Sequence, residues 1–422
     1  MKSHRMKSLS GGLIGLILIL SNSCSPHDYS CTLKGTIVDR TSDTLMLKKA
    51  TDDWRFVTIF IPIINGKFEY KMEVKANEAW KMAFRDEYLT GSFRPISFFP
   101  DSKEVRFELY PRKQFDKNKI TGGRQNRALS AFEFKKKETF DPRLLPLTKI
   151  RDSLRENDLY YSKEMAELIA VLKSSKSNTN RDSIIRQLDN LTLSGKDLTP
   201  ESIENENHID LVYKEMAKYR SDFISNNIDI LTYSFVMEYA LNSGDDEAVV
   251  KEIRDVYPVF AKKYPEHPYT SLISEILNGL GQIKVGGHFI DFTLPDLNGS
   301  KQTLSELIKG KVAVINLWAT WCGPCIRHSR EMVPLYNEYF DKGFTIVGVA
   351  AEVKNTKAMK KRLEQEKWAW INLVELDHQN QIWDKYGASF SGGKIILVDK
   401  NGVILAINPT AEETRQKLEQ IL

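Results

Sequence analysis

The spacing of apolar residues changes along the chain and divides it into stretches with different expected folds. Short runs rich in Val, Ile, Phe and Tyr fill residues 31–120 and predict β-strands. Asn65-Gly66 lies between two of these runs and is typical of a two-residue hairpin turn. Apolar positions at helical spacing within residues 121–283 predict helices. The pattern therefore predicts an antiparallel β-sandwich or small barrel, a helical middle region, and a further domain over residues 284–422.

The first residues have the pattern of an export signal. Basic residues precede a short apolar run at residues 13–20, which is too short to span a bilayer comfortably. The run ends shortly before Cys24, in a sequence that resembles the lipobox of bacterial lipoproteins. We therefore expect residues 1–23 to be a signal peptide, Cys24 to carry lipid, and residues 24–30 to form a linker. Two alternatives stay open: Cys24 is an ordinary residue after cleavage, or it pairs with Cys31.

The most informative stretch is a continuous apolar run at residues 312–317 that leads into Cys322 and Cys325. Helical spacing follows the second cysteine, so the order is strand, turn, C-x-x-C and helix. At a helix start, unpaired N–H groups and the helix dipole favour a thiolate at Cys322, and Cys325 lies close enough to form a disulfide with it. The alternative is half of a zinc site, but the other two cysteines, Cys24 and Cys31, lie far away at the N-terminus. The spacing therefore predicts a redox pair.

The residues between the cysteines fit a turn into a helix. Gly323 permits a tight turn, and Pro324 is tolerated because its missing N–H falls in the first helical turn. With Trp321 they complete the motif WCGPC. From this motif and the segments FIDFTLPDLNGSKQTLSEL, FTIVGVAAE and ILVDKNGVILAINP, residues 285–422 resemble the membrane-tethered thiol–disulfide oxidoreductases of the TlpA/ResA type, in the AhpC/TSA–redoxin superfamily.

The resemblance implies an α/β thioredoxin-like fold for residues 284–422, with Cys322 and Cys325 as the catalytic pair. It also implies that Cys322 attacks the client disulfide and that Cys325 resolves the mixed disulfide. Residues 31–120 resemble an N-terminal domain of unknown function that often precedes such modules. We therefore expect a multidomain enzyme whose chemistry lies in its last third.

Two further residues are candidates for supporting roles. Glu352 follows a predicted strand at residues 344–349, and the carboxyl ends of parallel strands share one rim of a sheet. We expect it near Cys325, as a partly buried proton acceptor with a raised pKa; the alternative is a solvated loop glutamate.

Gly393 stands where the family has a cis-proline. We expect a trans peptide there and a looser docking surface for clients; the alternative is that the glycines make room for Trp321.

Charge and composition narrow the function classes. The chain has 422 residues, with 60 Lys and Arg against 56 Asp and Glu, and its formal charge is +4. Without a basic block, these numbers argue against nucleic-acid binding. The sequence has no Gly-rich dinucleotide motif, so we expect no cofactor and electrons supplied by a membrane thiol reductase. His328 is expected to be an exposed helical residue rather than a proton shuttle.

The function expected first is an exported thiol–disulfide oxidoreductase that exchanges disulfides with client proteins, in the reductive direction. As a lipoprotein it would face the periplasm of a Gram-negative bacterium from a membrane. One alternative is a binding or scaffold lipoprotein with a secondary redox module. The other is a thiol peroxidase, which ranks last because the Pro and Thr that usually precede a lone peroxidatic cysteine are missing.

Overall fold

The computed structural model describes residues 29–175, 178–242, 246–388 and 392–422. The expected signal peptide at residues 1–23 and the candidate lipidation residue Cys24 lie outside these ranges. Within the described ranges, no helix combines the length and the apolar character that a membrane crossing requires. The chain forms a β region (residues 29–121), a helical region (residues 124–282) and a C-terminal region (residues 284–422).

The described β region consists of two four-stranded sheets, with strand orders β4-β1-β7-β8 and β3-β2-β5-β6. Its strands are β1 (Tyr29–Ile37), β2 (Thr44–Lys49), β3 (Ile59–Pro62), β4 (Lys67–Val74), β5 (Trp80–Phe84), β6 (Ile96–Phe98), β7 (Glu104–Leu109) and β8 (Lys119–Thr121), with the short helix α1 (Arg85–Leu89) after β5. Buried side chains from both sheets, including Leu33, Leu47 and Phe98, form one apolar cluster. The alternation of buried residues with less buried ones along strands such as β4 and β7 explains why the sequence pattern revealed them.

The expectation that the β region is purely antiparallel was wrong. β1 and β7 pair in parallel, with Thr32 opposite Glu104 and Ile37 opposite Leu109. The strand that precedes β7 in the chain is β6, which belongs to the other sheet. No hairpin turn therefore joins β1 to β7, and the direction of β7 is not fixed as antiparallel to β1. No closed barrel forms in the described part of this region, because its strands belong to two separate sheets.

The predicted turn at Asn65-Gly66 is present, but its two strands separate. Both residues have positive φ, 52° and 69°, as a tight hairpin turn requires, and Ile64 pairs with Lys67 across it. Beyond this single bridge, β3 continues in one sheet and β4 in the other. The turn therefore links the two sheets rather than two neighbouring strands.

The helical region packs against both neighbours. Its helices are α2 (Arg124–Glu156), α3 (Lys163–Ser174), α4 (Asn178–Leu193), α5 (Pro200–Asn226), α6 (Ile230–Asn242), α7 (Glu247–Lys263) and α8 (Pro268–Gln282). Towards the β region, the hydroxyl of Tyr269 accepts a buried hydrogen bond of 2.6 Å from the N–H of Ala79. Towards the C-terminal region, a Cβ on Gly279 would lie 2.5 Å from the carbonyl oxygen of Lys385, so this contact requires glycine.

The described C-terminal region is built on a five-stranded sheet with the order β13-β12-β11-β14-β15. Its elements are β9 (Thr293–Pro295), β10 (Lys301–Thr303), α9 (Leu304–Leu307), β11 (Val312–Trp318), α10 (Gly323–Tyr339), β12 (Phe344–Glu352), α11 (Lys357–Glu366), β13 (Ile371–Leu376), α12 (Ile382–Lys385), β14 (Lys394–Val398), β15 (Ile404–Ile407) and α13 (Ala411–Ile421). Strands β11, β12 and β13 run parallel to one another. Strand β14 pairs antiparallel with β11, and β15 pairs antiparallel with β14. Every residue of β11 and β12 is buried, and for β11 the continuous apolar run at residues 312–317 predicted this. The carboxyl ends of the three parallel strands form one rim, and the cysteine motif lies there.

Candidate redox site

Cys322 and Cys325 are joined by a disulfide at the start of α10, with their Cα atoms 5.3 Å apart. Cys322 is the residue that caps this helix, and its Sγ accepts a hydrogen bond of 3.3 Å from the N–H of Cys325. Both residues are only 7% exposed. A sulfur at this position faces the unpaired N–H groups of the first helical turn, which stabilise negative charge. The geometry therefore suits a stabilised thiolate at Cys322 once the disulfide is reduced.

Gly393 lies directly against the disulfide. Its N–H points at the Sγ of Cys325, with a nitrogen–sulfur distance of 3.2 Å. A Cβ on this residue would overlap the carbonyl oxygen of Leu317 and lie 2.5 Å from the Sγ of Cys325. The peptide that precedes it is trans, as expected. The contacts of Gly393 do not support a loosened docking surface, and the space it leaves is filled by Cys325 and Leu317 rather than by Trp321.

The two residues between the cysteines occupy the first helical turn. Pro324 lies where its missing N–H leaves no helical hydrogen bond unmade, in agreement with the sequence argument. Gly323 does not have a positive φ, and the nearest atom to a Cβ placed on it would be Nη1 of Arg327, at 3.9 Å. The turn therefore does not depend on glycine, and the role given to Gly323 from the sequence was wrong.

Glu352 is the last residue of β12 and is buried beneath the loop that leads to Cys322. Its Oε1 accepts a hydrogen bond of 3.4 Å from the N–H of Thr320. Burial raises the pKa of this carboxyl group above its usual range, and the contacts with Thr320 offset this only in part. The alternative of a solvated loop glutamate was therefore wrong. Proton transfer between Glu352 and Cys325 stays a prediction.

His328 is not the exposed helical residue that we expected. Its Nε2 lies 2.8 Å from the carbonyl oxygen of Pro409, which precedes α13, and burial lowers the pKa of the ring. The sequence reasoning failed here because the covering segment lies 81 residues further along the chain. His328 thus links α10 to the segment that precedes α13 by a hydrogen bond.

Trp321 is in contact with a residue that the sequence reasoning missed. The guanidinium of Arg55, from the β region, lies 3.7 Å from the centre of the indole ring. Trp383 lies beside the same ring, with a centroid distance of 6.0 Å. No local motif marks Arg55, because its partner is more than 250 residues away along the chain.

Among the described residues, no group of three His, Cys, Asp or Glu side chains is arranged to hold a metal ion.

Residues 284–422 match the family model described as Redoxin. The thiol-disulfide oxidoreductase ResA of Geobacillus thermodenitrificans is 33% identical over 144 residues, which are 33% of this chain and 79% of that protein. ResA of Bacillus anthracis is 30% identical over 141 residues, covering 33% and 78%. The thioredoxin domain of a thiol-disulfide oxidoreductase from Bacteroides vulgatus is 28% identical, covering 32% of this chain and 96% of that domain, with a TM-score of 0.30. Through its C-terminal region, the chain belongs to the thioredoxin-like thiol–disulfide oxidoreductases of the TlpA/ResA type.

Proposed function

We propose that this protein is an exported, membrane-anchored enzyme that reduces disulfides of client proteins through Cys322 and Cys325. The observation that carries the proposal is the position of the pair, because Cys322 caps α10 and its sulfur accepts the N–H of Cys325. Thiol–disulfide oxidoreductases act by exchange between such a dithiol and a partner's disulfide. The β region, in this proposal a β-sandwich, and the helical region would hold the redox domain and its clients together.

The proposed reaction begins with the reduced pair. The thiolate of Cys322 attacks one sulfur of the client disulfide, the client's S–S bond breaks, and the released client thiolate takes up a proton. Cys325 then loses its proton and attacks the Sγ of Cys322, which releases the second client thiol and restores the Cys322–Cys325 disulfide. The client gains two electrons and two protons. A membrane thiol reductase would return two electrons to the pair.

In this scheme Glu352 accepts the proton of Cys325. Because burial raises the pKa of this carboxyl group, it binds a proton more readily than an exposed glutamate does. Its hydrogen bond to Thr320 also holds the loop that precedes Cys322. Gly393 would assist from the other side, because its N–H faces the Sγ of Cys325 and can stabilise a thiolate there.

The exchange step is tested by trapping clients on a Cys325→Ser variant of the full chain. With the resolving thiol removed, mixed disulfides with client proteins should accumulate on Cys322 and disappear on treatment with a reductant. Cys322→Ser is the matched control and should trap none. Equal trapping by both variants, or by neither, would contradict the assigned roles.

The reductive direction is tested by the equilibrium potential of the pair against glutathione. A potential near that of thioredoxin, about −270 mV, supports reduction of clients, whereas a potential near about −120 mV contradicts it.

Export and anchoring are tested by mass spectrometry of membrane-extracted protein. A lipid-modified N-terminus at Cys24 is the expected result, and an unmodified N-terminus in soluble protein would contradict it.

A further inference from the structure

A short segment of the β region, residues 53–56, lies on the rim that carries the redox pair. It touches the C-terminal region at two points. Arg55 covers one face of Trp321, and Phe56 meets His378 edge to face, with a centroid distance of 4.9 Å. Trp321 follows β11 and His378 follows β13, so both lie past the carboxyl ends of parallel strands. Working residues of α/β sheets gather on this rim.

Arg55 is held in place by its own segment. Both carboxylate oxygens of Asp53 accept hydrogen bonds from Nε of Arg55, each at 2.9 Å, and Nη2 adds a third contact. Asp53 also caps the short helix Trp54–Phe56 by accepting the N–H of Arg55. Burial acts to raise the pKa of Asp53, but the hydrogen bonds and charge of Arg55 lower it below its usual range, so the pair stays ionised. The guanidinium is thus fixed before any client arrives.

Trp321 differs from the other tryptophans of the protein. It is 45% exposed, whereas Trp54 is half-buried and Trp80, Trp318, Trp368, Trp370 and Trp383 are buried; every tryptophan lies within the described ranges. It directly precedes Cys322, and its ring contacts both Arg55 and Trp383. An exposed aromatic ring that is already held in one orientation costs little conformational entropy on binding, and tryptophan is prominent among the residues that dominate protein interfaces.

From this arrangement we infer that Arg55 is a positioning residue for client recognition. It holds Trp321 as an apolar anchor for the client segment that carries the disulfide to Cys322. The β region therefore takes part in choosing clients, although it supplies no reacting group. The occupant assigned to this surface is the protein segment that flanks a client disulfide, because Trp321 directly precedes Cys322 and leaves 45% of its surface exposed beside it. The inference rests on the proposed reduction of client proteins.

The test compares a protein disulfide with a small one on the full chain. Insulin and 5,5′-dithiobis(2-nitrobenzoate) serve as substrates, and the measured quantity is the ratio of their kcat/KM values. Arg55→Ala should lower this ratio about three- to fivefold, mainly through KM for insulin, since a cation–π contact at a partly exposed site contributes only modestly. Arg94→Ala is the matched control, because Arg94 stacks on Phe115 within the β region and should leave the ratio at the wild-type value.

A double variant separates the anchor from a purely structural effect. If Arg55 acts through Trp321, adding Arg55→Ala to Trp321→Ala should not lower the ratio further. An equal loss in both backgrounds, or a wild-type ratio in Arg55→Ala, would overturn the inference. Absence of insulin reduction by the wild-type chain would instead overturn the proposed function. If Arg55→Ala fails to fold because Asp53 loses its partner, Asp53→Asn combined with Arg55→Met replaces it.

Discussion

The β region buries Cys31 and the C-terminal region buries Cys322, and the two cysteines have contrasting environments. Cys31 is the third residue of β1, is 0% exposed, and forms no disulfide within the described residues. Burial, followed by the nearby charge of Asp101, raises the pKa of its thiol to about 11, and a backbone hydrogen bond from Val105 offsets this only in part. Cys322 lies at the end of a loop, caps α10, and receives an N–H at its sulfur. Both residues are nearly inaccessible, so exposure alone does not distinguish them.

The difference teaches that the backbone around a cysteine sets its chemistry. In a strand the neighbouring N–H groups are already paired with adjacent strands. Cys31 lies opposite Met72 of β4, and the N–H of Thr32 bonds to the carbonyl oxygen of Lys103. At a helix start the N–H groups are free to face a thiolate. The same amino acid is therefore a packing residue in one region and a candidate nucleophile in the other.

The largest expected effect comes from exchanging these two cysteines for serine. Cys322→Ser should reduce insulin reduction to the uncatalysed background, because the attacking thiolate is gone. Cys31→Ser should leave turnover unchanged but lower the free energy of unfolding by about 1–3 kcal/mol, since a hydroxyl replaces a thiol in an apolar cluster. Turnover assays and chemical denaturation measure the two quantities. Loss of turnover in a folded Cys31→Ser protein would break the comparison.

A second, smaller effect is expected from two glycines of the redox site. Gly393→Ala should lower the free energy of unfolding by about 1–3 kcal/mol, because the added methyl group meets Leu317 and Cys325. Gly323→Ala is the matched control. It should leave stability unchanged or raise it by up to about 1 kcal/mol, because the space is open and alanine favours a helix. Equal losses in both variants, measured by denaturation, would contradict the close packing at Gly393.

How much of this site the sequence could predict depends on the range of each contact. Cys322, Pro324 and the strand β11 follow from local spacing, and the structure has them where the pattern indicated. The surroundings of Gly393 and His328 could not be inferred, because their partners come from distant segments that pack only in the folded chain. The family pattern suggested a looser site at Gly393 because it marks only the missing proline. It does not show which atoms fill the space.

The smallest expected effect concerns Glu352. Its pKa in the folded protein is raised by burial above the ordinary value of 4.5, so its contribution to stability is fully present below pH 4.5 and is lost as the pH rises through the raised pKa. Glu352→Gln removes this loss and keeps an oxygen for the Thr320 N–H. The variant should therefore gain stability relative to wild type at neutral pH but not at acidic pH.

Denaturation curves over this pH range measure the effect of Glu352→Gln, with the exposed Glu364→Gln as control. The variant should also shift the pH dependence of thiol alkylation if Glu352 takes the proton of Cys325. A stability difference that does not vary with pH would contradict the raised pKa. An unchanged alkylation profile would remove Glu352 from the exchange reaction.

The most direct test of the central claim is the order in which the cysteines of the reduced, folded protein react with iodoacetamide at mildly acidic pH. Mass spectrometry of quenched samples gives a rate for each cysteine. The account predicts that Cys322 is alkylated first, Cys325 more slowly, and Cys31 only after unfolding, since the thiolate is the reacting species. Alkylation of Cys31 or Cys325 as fast as that of Cys322 would contradict the claim that the helix start activates Cys322.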